Sequence, residues 1–344
     1  MQEHPTDLPA WLHVEASHVL EREERFERLY HVGENTVLAL YSYSIETRGL
    51  TKMALLTLLP DCSLQKTTIP IPDWTSGDIT KFSPIPSSWG VIYFLVTQCT
   101  ICYDIYSKCE TDSPNRIDIW MLHLDTLVWK MIPHSEGDIW PSPRKYCFSG
   151  CIDGNLVLAG GCQWESRTYV LGGCIDDQKY LRDTWALDTE TLRWRHLPFY
   201  LAAGDSEVCQ WKSVQIRDGF CYARPDWLSE DSKKSRILTL SVADGFVVSN
   251  ADLPTPLLEI VGDEKCSVIL LFQQHDDLLY IFDPVSRRCS SGILVEFPAI
   301  GKRGYGTVEL VCMINPTTLL VRHRDVVSVV YVEWESVVEL AART

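Results

Sequence analysis

The hydrophobic positions of the chain fall in short runs that turn residues separate, and this pattern predicts β-strands. Residues 156–159 form an apolar run bounded by glycines, as expected of a buried strand that follows an Asp153-Gly154 hairpin turn. Further along, Trp185 and Leu187 alternate with smaller residues, and a turn precedes another β-rich run at 191–197. The pattern therefore predicts four short antiparallel strands in this part of the chain.

Part of this segment occurs twice. The recurring residues are an acid and two tryptophans, each 65 positions apart: Asp118 and Asp183, Trp120 and Trp185, Trp129 and Trp194. A weaker copy aligns Asp283 with Asp188, 95 positions on. A fixed period indicates a repeat architecture in which each repeat is one supersecondary unit. Because four short antiparallel strands make one blade of a β-propeller, the period predicts that blades recur along the chain.

Four features of residues 141–198 occur together in one known family: Pro141-Ser142-Pro143-Arg144, the pair Gly160-Gly161, Asp183-x-Trp185, and Trp194. In these features the segment resembles a kelch repeat, and residues 115–133 resemble its second half. The resemblance implies an all-β fold, a single β-propeller of about six four-stranded blades, or seven if the N-terminus contributes one. It also implies structural roles for the repeat residues: Arg144, Gly160, Gly161, Asp118, Trp120, Trp129, Asp183, Trp185 and Trp194. Residues 170–174 echo residues 157–162, so Gly172-Gly173 is a second candidate for the end of the second strand, and the Arg144 spacing favours Gly160-Gly161.

The ends of the chain are expected to meet. We expect an N-terminal arm over residues 1–25 and the kelch-like propeller over 26–344. Residues 17–28 have local helix propensity, with a strand from residue 26 as the alternative that starts the first blade. The last blade is predicted to include a strand at 337–340. An open propeller would leave the apolar stretch 326–340 with an unpaired edge, so an N-terminal strand should pair within the last blade or beside it.

Three long polar segments link the second and third strands of successive predicted blades: residues 103–114, 162–179 and 224–234. In the kelch family such loops form one rim of the propeller and contact partners. Loops on a rigid scaffold often carry binding residues, and aromatic and arginine side chains dominate binding hot spots. We therefore predict partner-binding residues on these loops: Trp164, Arg167, Tyr169, Tyr103, Tyr106, Arg224 and Trp227.

The recurring tryptophans and aspartates have a second interpretation as a sugar-stacking or catalytic set. Residues that recur in each blade normally pack against neighbouring blades, so core packing is the favoured role of the tryptophans. For Asp118 and Asp183, hydrogen bonding to turn amides is the favoured role. The spacing Cys99-x-x-Cys102 is half of a zinc motif, but the sequence has no second such pair, which predicts no metal site.

The composition narrows the class of partner and the location. A net charge of −15 argues against nucleic acid, because phosphate binding needs a basic face. Thirteen cysteines without a compact framework, and an N-terminus without the features of a signal peptide, predict a reducing, cytoplasmic location. No apolar run reaches the ~18 residues of a membrane helix, so no membrane partner is predicted.

The sequence has no nucleophile elbow, phosphate loop or paired-histidine metal motif. We therefore expect no enzyme activity and no cofactor. The predicted function is that of a scaffold or adaptor that binds a protein or peptide through the propeller rim. Two alternatives are a substrate-recognition subunit of a ubiquitin ligase and a propeller enzyme or small-molecule isomerase with an axial site. The chain has no recognisable BTB or F-box segment, which disfavours ligase recruitment by the chain alone.

Overall fold

The protein is built from β-strands throughout the part that its computed structural model describes. The described residues are 12–19, 26–41, 43–44, 49–50, 52–72, 80–87, 90–104, 109–134, 139–144, 147–152, 154–159, 162–170, 173–181, 183–197, 208–217, 220–227, 236–241, 247–254, 258–261, 269–273, 278–289, 293–294, 310–323 and 326–333. Within these ranges every regular element is a strand. The predicted all-β class is therefore confirmed.

Two compact units divide the chain. The first consists of Met1–Ser42, Leu50–Ile69 and Ala251–Thr344, and the second consists of Tyr43–Gly49 and Pro70–Asn250. Each unit is described by its own antiparallel sheets, in which neighbouring strands are mostly consecutive in sequence.

The first unit contains three sheets, which we call blades 1, 5 and 6. Blade 1 is β2 (Phe26–Gly33), β3 (Thr36–Tyr41), β6 (Met53–Leu58) and β7 (Leu64–Ile69); blade 5 is β22 (Leu258–Val261), β23 (Ile269–Gln273), β24 (Leu278–Asp283), β25 (Arg288–Cys289) and β26 (Ile293–Leu294); blade 6 is β27 (Leu310–Asn315), β28 (Thr318–His323), β29 (Val326–Val332) and β1 (Leu12–Val19). The short strands β4 (Tyr43–Ser44) and β5 (Gly49–Leu50) lie between β3 and β6 in sequence and pair with each other, and residues 43–49 belong to the second unit. The strand that was expected from residue 26 is confirmed.

The second unit contains blades 2, 3 and 4, each four-stranded. Blade 2 is β8 (Thr80–Pro86), β9 (Val91–Asp104), β10 (Cys109–His123) and β11 (Trp129–Met131); blade 3 is β12 (Phe148–Ile152), β13 (Asn155–Ala159), β16 (Thr184–Asp188) and β17 (Arg193–Leu197); blade 4 is β18 (Val208–Arg217), β19 (Phe220–Trp227), β20 (Arg236–Ser241) and β21 (Val247–Asp252). A separate hairpin, β14 (Cys162–Val170) and β15 (Gly173–Tyr180), is inserted between β13 and β16.

Within each unit, the first strand of one blade lies beside the first strand of another. In the second unit β12 contacts both β8 and β18, and in the first unit β27 contacts both β2 and β22. Each sheet therefore runs outward from its first strand to its last, which is the arrangement of propeller blades. The predicted fold class, a β-propeller of four-stranded blades, is confirmed.

Apolar side chains from neighbouring blades share a core. One buried cluster joins blades 2 and 3: Ile85, Tyr93, Leu95, Ile117, Ile119, Met121, Ile132, Leu156, Leu158, Trp185, Leu187 and Trp194. A second joins blades 1 and 6: Val37, Ala39, Tyr41, Ala54, Leu56, Cys312, Ile314, Leu320, Val327 and Val329. Full burial of one large apolar side chain is worth about 1.5–3 kcal/mol, so the contacts between blades are a main source of stability in each unit.

The 65-residue repeat is preserved in the strand register of blades 2 and 3. In blade 2, Trp120 lies opposite Met131 on the next strand. In blade 3, Trp185 lies opposite His196, each residue 65 positions further on. The period read from the sequence therefore corresponds to equivalent hydrogen-bonded pairs in the two sheets.

The turn between the third and fourth strands recurs in three blades. Leu127, Leu192 and Arg287 have left-handed φ values of 55°, 57° and 58°, and each amide donates to the carbonyl four residues earlier. The carboxylates of Asp188 and Asp283 accept hydrogen bonds from amides of their turns. The predicted alignment of Asp283 with Asp188 is therefore confirmed.

The N-terminal strand completes blade 6. β1 pairs antiparallel with β29, from Leu12 opposite Val332 to Val19 opposite Val326, with a bulge after Val14. The expectation that an N-terminal strand pairs within the last blade is confirmed. The predicted strand at 337–340 lies outside the described residues, and β1 holds the outer position beside β29.

Blade 5 has an interrupted outermost strand. β25 pairs with residues 282–283 of β24, and β26 pairs with residues 278–279. Both lie on the edge of β24 that β23 does not use. Together they occupy the place of one outer strand, so this five-stranded sheet keeps the plan of a four-stranded blade.

Candidate partner-binding rim

Two segments predicted as polar loops are β-ribbons. Residues 99–104 of β9 pair with residues 109–114 of β10, beyond the part of the sheet that β8 reaches. The insertion after β13 forms the β14–β15 hairpin. The loop predictions for 103–114 and 162–179 are therefore wrong in conformation, because cross-strand pairing satisfies the backbone hydrogen-bonding groups of these segments.

Blade 4 is extended in the same way. β18 pairs with β19 from Val208 opposite Trp227 to Arg217 opposite Phe220, whereas β20 pairs only with residues 220–223. The rest of the β18–β19 pair forms a third two-stranded ribbon. Each ribbon lies where the second strand of its blade leads towards the third strand, so the three ribbons share one end of blades 2, 3 and 4. We call this end the ribbon rim.

The ribbons carry six of the seven predicted partner-binding residues. Their cross-strand neighbours are Glu110 for Tyr103, Gln178 for Trp164, Asp176 for Arg167, Cys174 for Tyr169, Ser213 for Arg224 and Val208 for Trp227. Tyr106 lies outside the described residues, as do the repeat glycines Gly160 and Gly161. Strand β13 ends at Ala159, directly before that glycine pair, as the kelch resemblance implied. The binding role of the seven residues stays a prediction.

At the base of the rim, the guanidinium of Arg144 is completely buried and pairs with Asp183. Its Nη1 and Nη2 donate to the two oxygens of the Asp183 carboxylate, both at 2.9 Å. It also donates to the carbonyl and the hydroxyl of Ser142. The Arg144 carbonyl accepts a hydrogen bond from Thr97 on β9. Arg144 therefore joins the segment before blade 3 to both blade 2 and blade 3.

Two effects oppose each other at the Asp183 carboxylate. Partial burial disfavours its charged form, but the hydrogen bonds and the positive charge of Arg144 outweigh burial. The indole Nε1 of Trp185 donates a further hydrogen bond, at 2.5 Å. The pKa of Asp183 is therefore held below its usual value. At neutral pH both side chains are charged, and Arg144 and Asp183 form a salt bridge.

Asp118 occupies the equivalent position in blade 2 but has different partners. Its Oδ1 accepts hydrogen bonds from Arg116 Nε at 2.9 Å, and His134 Nε2 lies 3.0 Å away. The carboxylate is 3% exposed, whereas the side chains of Arg116 and His134 are 51% and 37% exposed. Turn amides were the predicted partners of Asp118 and Asp183, but the described hydrogen bonds of both carboxylates come mainly from side chains.

An aromatic stack adjoins the Asp118 cluster. The ring of His134 lies on that of Trp140, with centroids 3.5 Å apart and planes inclined by 11°. Trp140 in turn lies 5.8 Å from Trp194 in the core between blades. Beside Trp140, Ile139 is 68% exposed. The stack connects a surface cluster to the interior of the second unit.

Sequence reasoning missed this cluster. The repeat identified Asp118 but not Arg116, His134 or Trp140 as its surroundings. One signal was available: His134 follows the end of the repeated segment, where the fourth strand of a blade returns to the level at which the third strand begins. Residue pairing across these two strands places His134 beside Asp118.

The repeat tryptophans differ in burial. Trp185 and Trp194 are 9% and 8% exposed and belong to the core between blades 2 and 3. Trp120 and Trp129 are half-buried. The indole of Trp129 donates to the Pro70 carbonyl at 2.6 Å and contacts another aromatic ring. Of the four repeat tryptophans, Trp185 and Trp194 of blade 3 therefore fit the predicted role in core packing best.

Within the described ranges, clustered metal ligands and long apolar helices are both absent. There, no group of three His, Cys, Asp or Glu side chains could hold a metal ion. Nor does the described part of the chain contain a helix long and apolar enough to cross a membrane. Burial raises the pKa of the Cys289 and Cys312 thiols to about 12, so both stay protonated and unreactive at neutral pH.

Comparison with known proteins gives one family motif and several similar folds. A family model described as the Kelch motif matches residues 164–198. No curated protein matches the chain. A solved structure of a protein of unknown function from Dyadobacter fermentans is similar at 9% identity, with a TM-score of 0.57, over 94% of this chain and 100% of that one.

A second similar structure is that of YjhT, at 10% identity and a TM-score of 0.50, over 88% of this chain and 93% of that one. At these identities the likeness concerns the fold alone. The family motif covers all but the first two residues of the inserted hairpin, and the last two strands of blade 3. Residues 164–198 therefore carry a Kelch motif, in a chain whose sheets are arranged as propeller blades within each unit.

Proposed function

We propose that this protein is an interaction module that binds a protein or peptide partner through the ribbon rim. The observation that carries the proposal is that three successive blades extend as two-stranded ribbons at one end. A blade needs only a short turn between its second and third strands. The ribbons therefore add surface that the fold does not require, and kelch propellers commonly serve as protein-interaction modules.

The base of the rim supports a binding role. The buried Arg144–Asp183 pair fixes the base of blade 3, and a fixed scaffold reduces the entropy that ordering a surface costs on binding. Next to it, Arg116 and His134 reach solvent while Asp118 holds both side chains in place. Ile139 adds an exposed apolar side chain. Arginine and large apolar groups of this kind are typical of interface anchors and their surroundings.

The proposal assigns the protein no catalytic step. Copper analysis of the purified protein and a thermal-shift screen of metabolites test this part of it. We expect no stoichiometric copper and no metabolite that raises the melting temperature. Bound copper or a stabilising metabolite would instead favour an enzyme with an axial site.

The principal experiment removes one ribbon. Replacing residues 163–179 with Gly-Ser-Gly deletes most of the β14–β15 hairpin, while β13 and β16 remain paired with each other. We expect this variant to lose partners in a pull-down and to keep a cooperative melt by circular dichroism. Val128→Ser is the matched control, because Val128 is 57% exposed at the opposite end of blade 2. Recovery of every partner by the shortened variant would overturn the proposal for this ribbon.

A finer test changes two side chains on the same ribbon. The double variant Trp164→Ala with Arg167→Ala should weaken binding by at least ~2 kcal/mol, as expected for the loss of hot-spot residues. The melting temperature should stay close to that of the wild type. If the shortened ribbon loses binding but the double variant does not, other residues of the hairpin carry the contact.

A further inference from the structure

Among the described strands, only β1 covers the outer edge of β29. Val327, Val329, Val330 and Val332 are at most 1% exposed, so the body of this strand is embedded in blade 6. β28 pairs with one edge of β29, and β1 pairs with the other. Without β1, that edge would present a row of unpaired backbone N–H and C=O groups, which readily accepts another strand.

The described side chains of β1 add few specific contacts to this pairing. Glu15 and Ser17 are exposed, and Ala16 packs only at the margin of the core between blades 1 and 6. The hydroxyls of Ser17 and Ser328 lie 3.0 Å apart. His18 Nε2 lies 3.2 Å from the carbonyl oxygen of Cys62. The ladder of backbone hydrogen bonds is therefore the main described link between β1 and blade 6.

A backbone ladder does not distinguish one copy of β1 from another. β1 lies at the edge of its sheet and is hydrogen-bonded to no described strand other than β29. Its release would leave the pairing of β27, β28 and β29 in place. A second copy of the chain can supply an identical strand in the same register, and exchange of an identical element is a low-cost route to dimers.

We infer that the edge of β29 is a strand-accepting surface, and that two copies of this chain can form a dimer by exchanging their β1 strands. The exchange is reciprocal: β1 of each copy completes blade 6 of the other. At low concentration the closed monomer is favoured, because the copy of β1 within the same chain has the higher effective concentration. Opening blade 6 at high protein concentration favours the dimer.

A cross-link at the Ser17–Ser328 pair tests the exchange. Two differently tagged chains are prepared, one with Ser17→Cys and the other with Ser328→Cys. They are mixed at high concentration, partly unfolded in mild denaturant, refolded together and oxidised. Mass spectrometry of material captured through both tags should identify a disulfide that joins the introduced thiol at position 17 of one chain to the introduced thiol at position 328 of the other. Its yield should rise with the protein concentration during refolding.

Two controls decide the result. In the first control, the second chain carries Tyr331→Cys in place of Ser328→Cys. Its introduced thiol then lies opposite His13 and out of register with residue 17. We expect at least tenfold less cross-link from that pair. A single chain with both Ser17→Cys and Ser328→Cys should form the link internally. If the internal link forms but co-refolded chains give no more linkage than the Tyr331→Cys control, strand exchange is refuted. Failure of the internal link would refute the pairing of β1 with β29 itself.

Discussion

Asp118 and Asp183 hold the same position in two neighbouring blades, but different cations neutralise them. In blade 3, the fully buried guanidinium of Arg144 contacts both oxygens of Asp183. In blade 2, the half-exposed side chains of Arg116 and His134 meet at one oxygen of Asp118. The position 65 residues before Arg144 is Ile79, so blade 2 has no arginine to repeat the blade 3 pair.

The difference shows what the repeat fixes and what it leaves variable. Both blades keep a carboxylate with little exposure, and such a group needs a cation or hydrogen-bond donors. In blade 3 the cation is buried, and the two parallel hydrogen bonds from the arginine guanidinium strengthen the ion pair and fix its geometry. In blade 2 the side chains of Arg116 and His134, which contact Asp118, are partly exposed at the surface. One repeat position thus supports structure in blade 3 and offers surface chemistry in blade 2.

The largest expected effect comes from the internal arginine. Arg144→Met should lower the free energy of unfolding by about 3–5 kcal/mol, because it leaves the Asp183 carboxylate without its cation. Arg116→Met is the matched change in blade 2, and we expect a loss of about 1–2 kcal/mol because His134 and water still satisfy Asp118. Urea denaturation measures both. Equal losses would show that the two sites do not differ in the way their burial indicates.

The tryptophans provide a second contrast between the same blades. Trp194→Ala should cost about 3–5 kcal/mol, because the side chain is buried between blades 2 and 3. Trp129→Ala should cost less, since Trp129 is half-buried. Thermal melts of the two variants should therefore differ in the same order. A larger loss for Trp129→Ala would contradict the assignment of the main packing role to blade 3.

Acid should weaken the blade 3 pair. The folded pKa of Asp183 lies below its unfolded value, about 3.9. Its stabilising contribution is fully present above the unfolded pKa and is lost as the pH falls through the folded pKa. Urea denaturation from pH 6 to pH 2 should therefore show a steeper loss of stability for the wild type than for Arg144→Met. Parallel pH profiles would argue against this ion pair as a source of acid sensitivity.

The smallest effect concerns the recurring turn. Arg287 is exposed and has a left-handed φ of 58°. Arg287→Gly should stabilise the protein by up to ~1 kcal/mol, the relief of strain exceeding the added entropy of the unfolded chain. The corresponding Leu192→Gly should gain less or lose stability, because Leu192 packs against the core of blades 2 and 3. Chemical denaturation distinguishes the two outcomes.

Much of the fold can be predicted from the sequence, because a repeat shows both a fixed period and recurring turn residues. The spacing of Trp120 and Trp185 gave the period, and the turn at Asp188 gave the alignment with blade 5. The closing strand could also be predicted, since the apolar stretch that includes β29 needed a partner along its edge. These features depend on residue type and spacing, which a sequence displays directly.

The ribbons and the Asp118 cluster were less accessible to prediction. Residues 109–114 are polar and contain a proline, so composition indicates a loop, whereas pairing with 99–104 makes them a strand. Asp118 contacts His134 because β10 pairs with β11, and no sequence motif indicates this contact. Both features arise from contacts across strands, which no local pattern specifies.

The position of β1 has a consequence for synthesis of the chain. Ser17 and Ser328 are 311 residues apart in sequence, and yet they are neighbours in one blade. At about 5–20 residues per second, the ribosome takes ~15–60 s to produce the second after the first. During that time β1 has been made but the strand it pairs with has not. Blade 6 can therefore be completed only after this delay, and throughout it β1 is open to chaperones that bind unpaired strands.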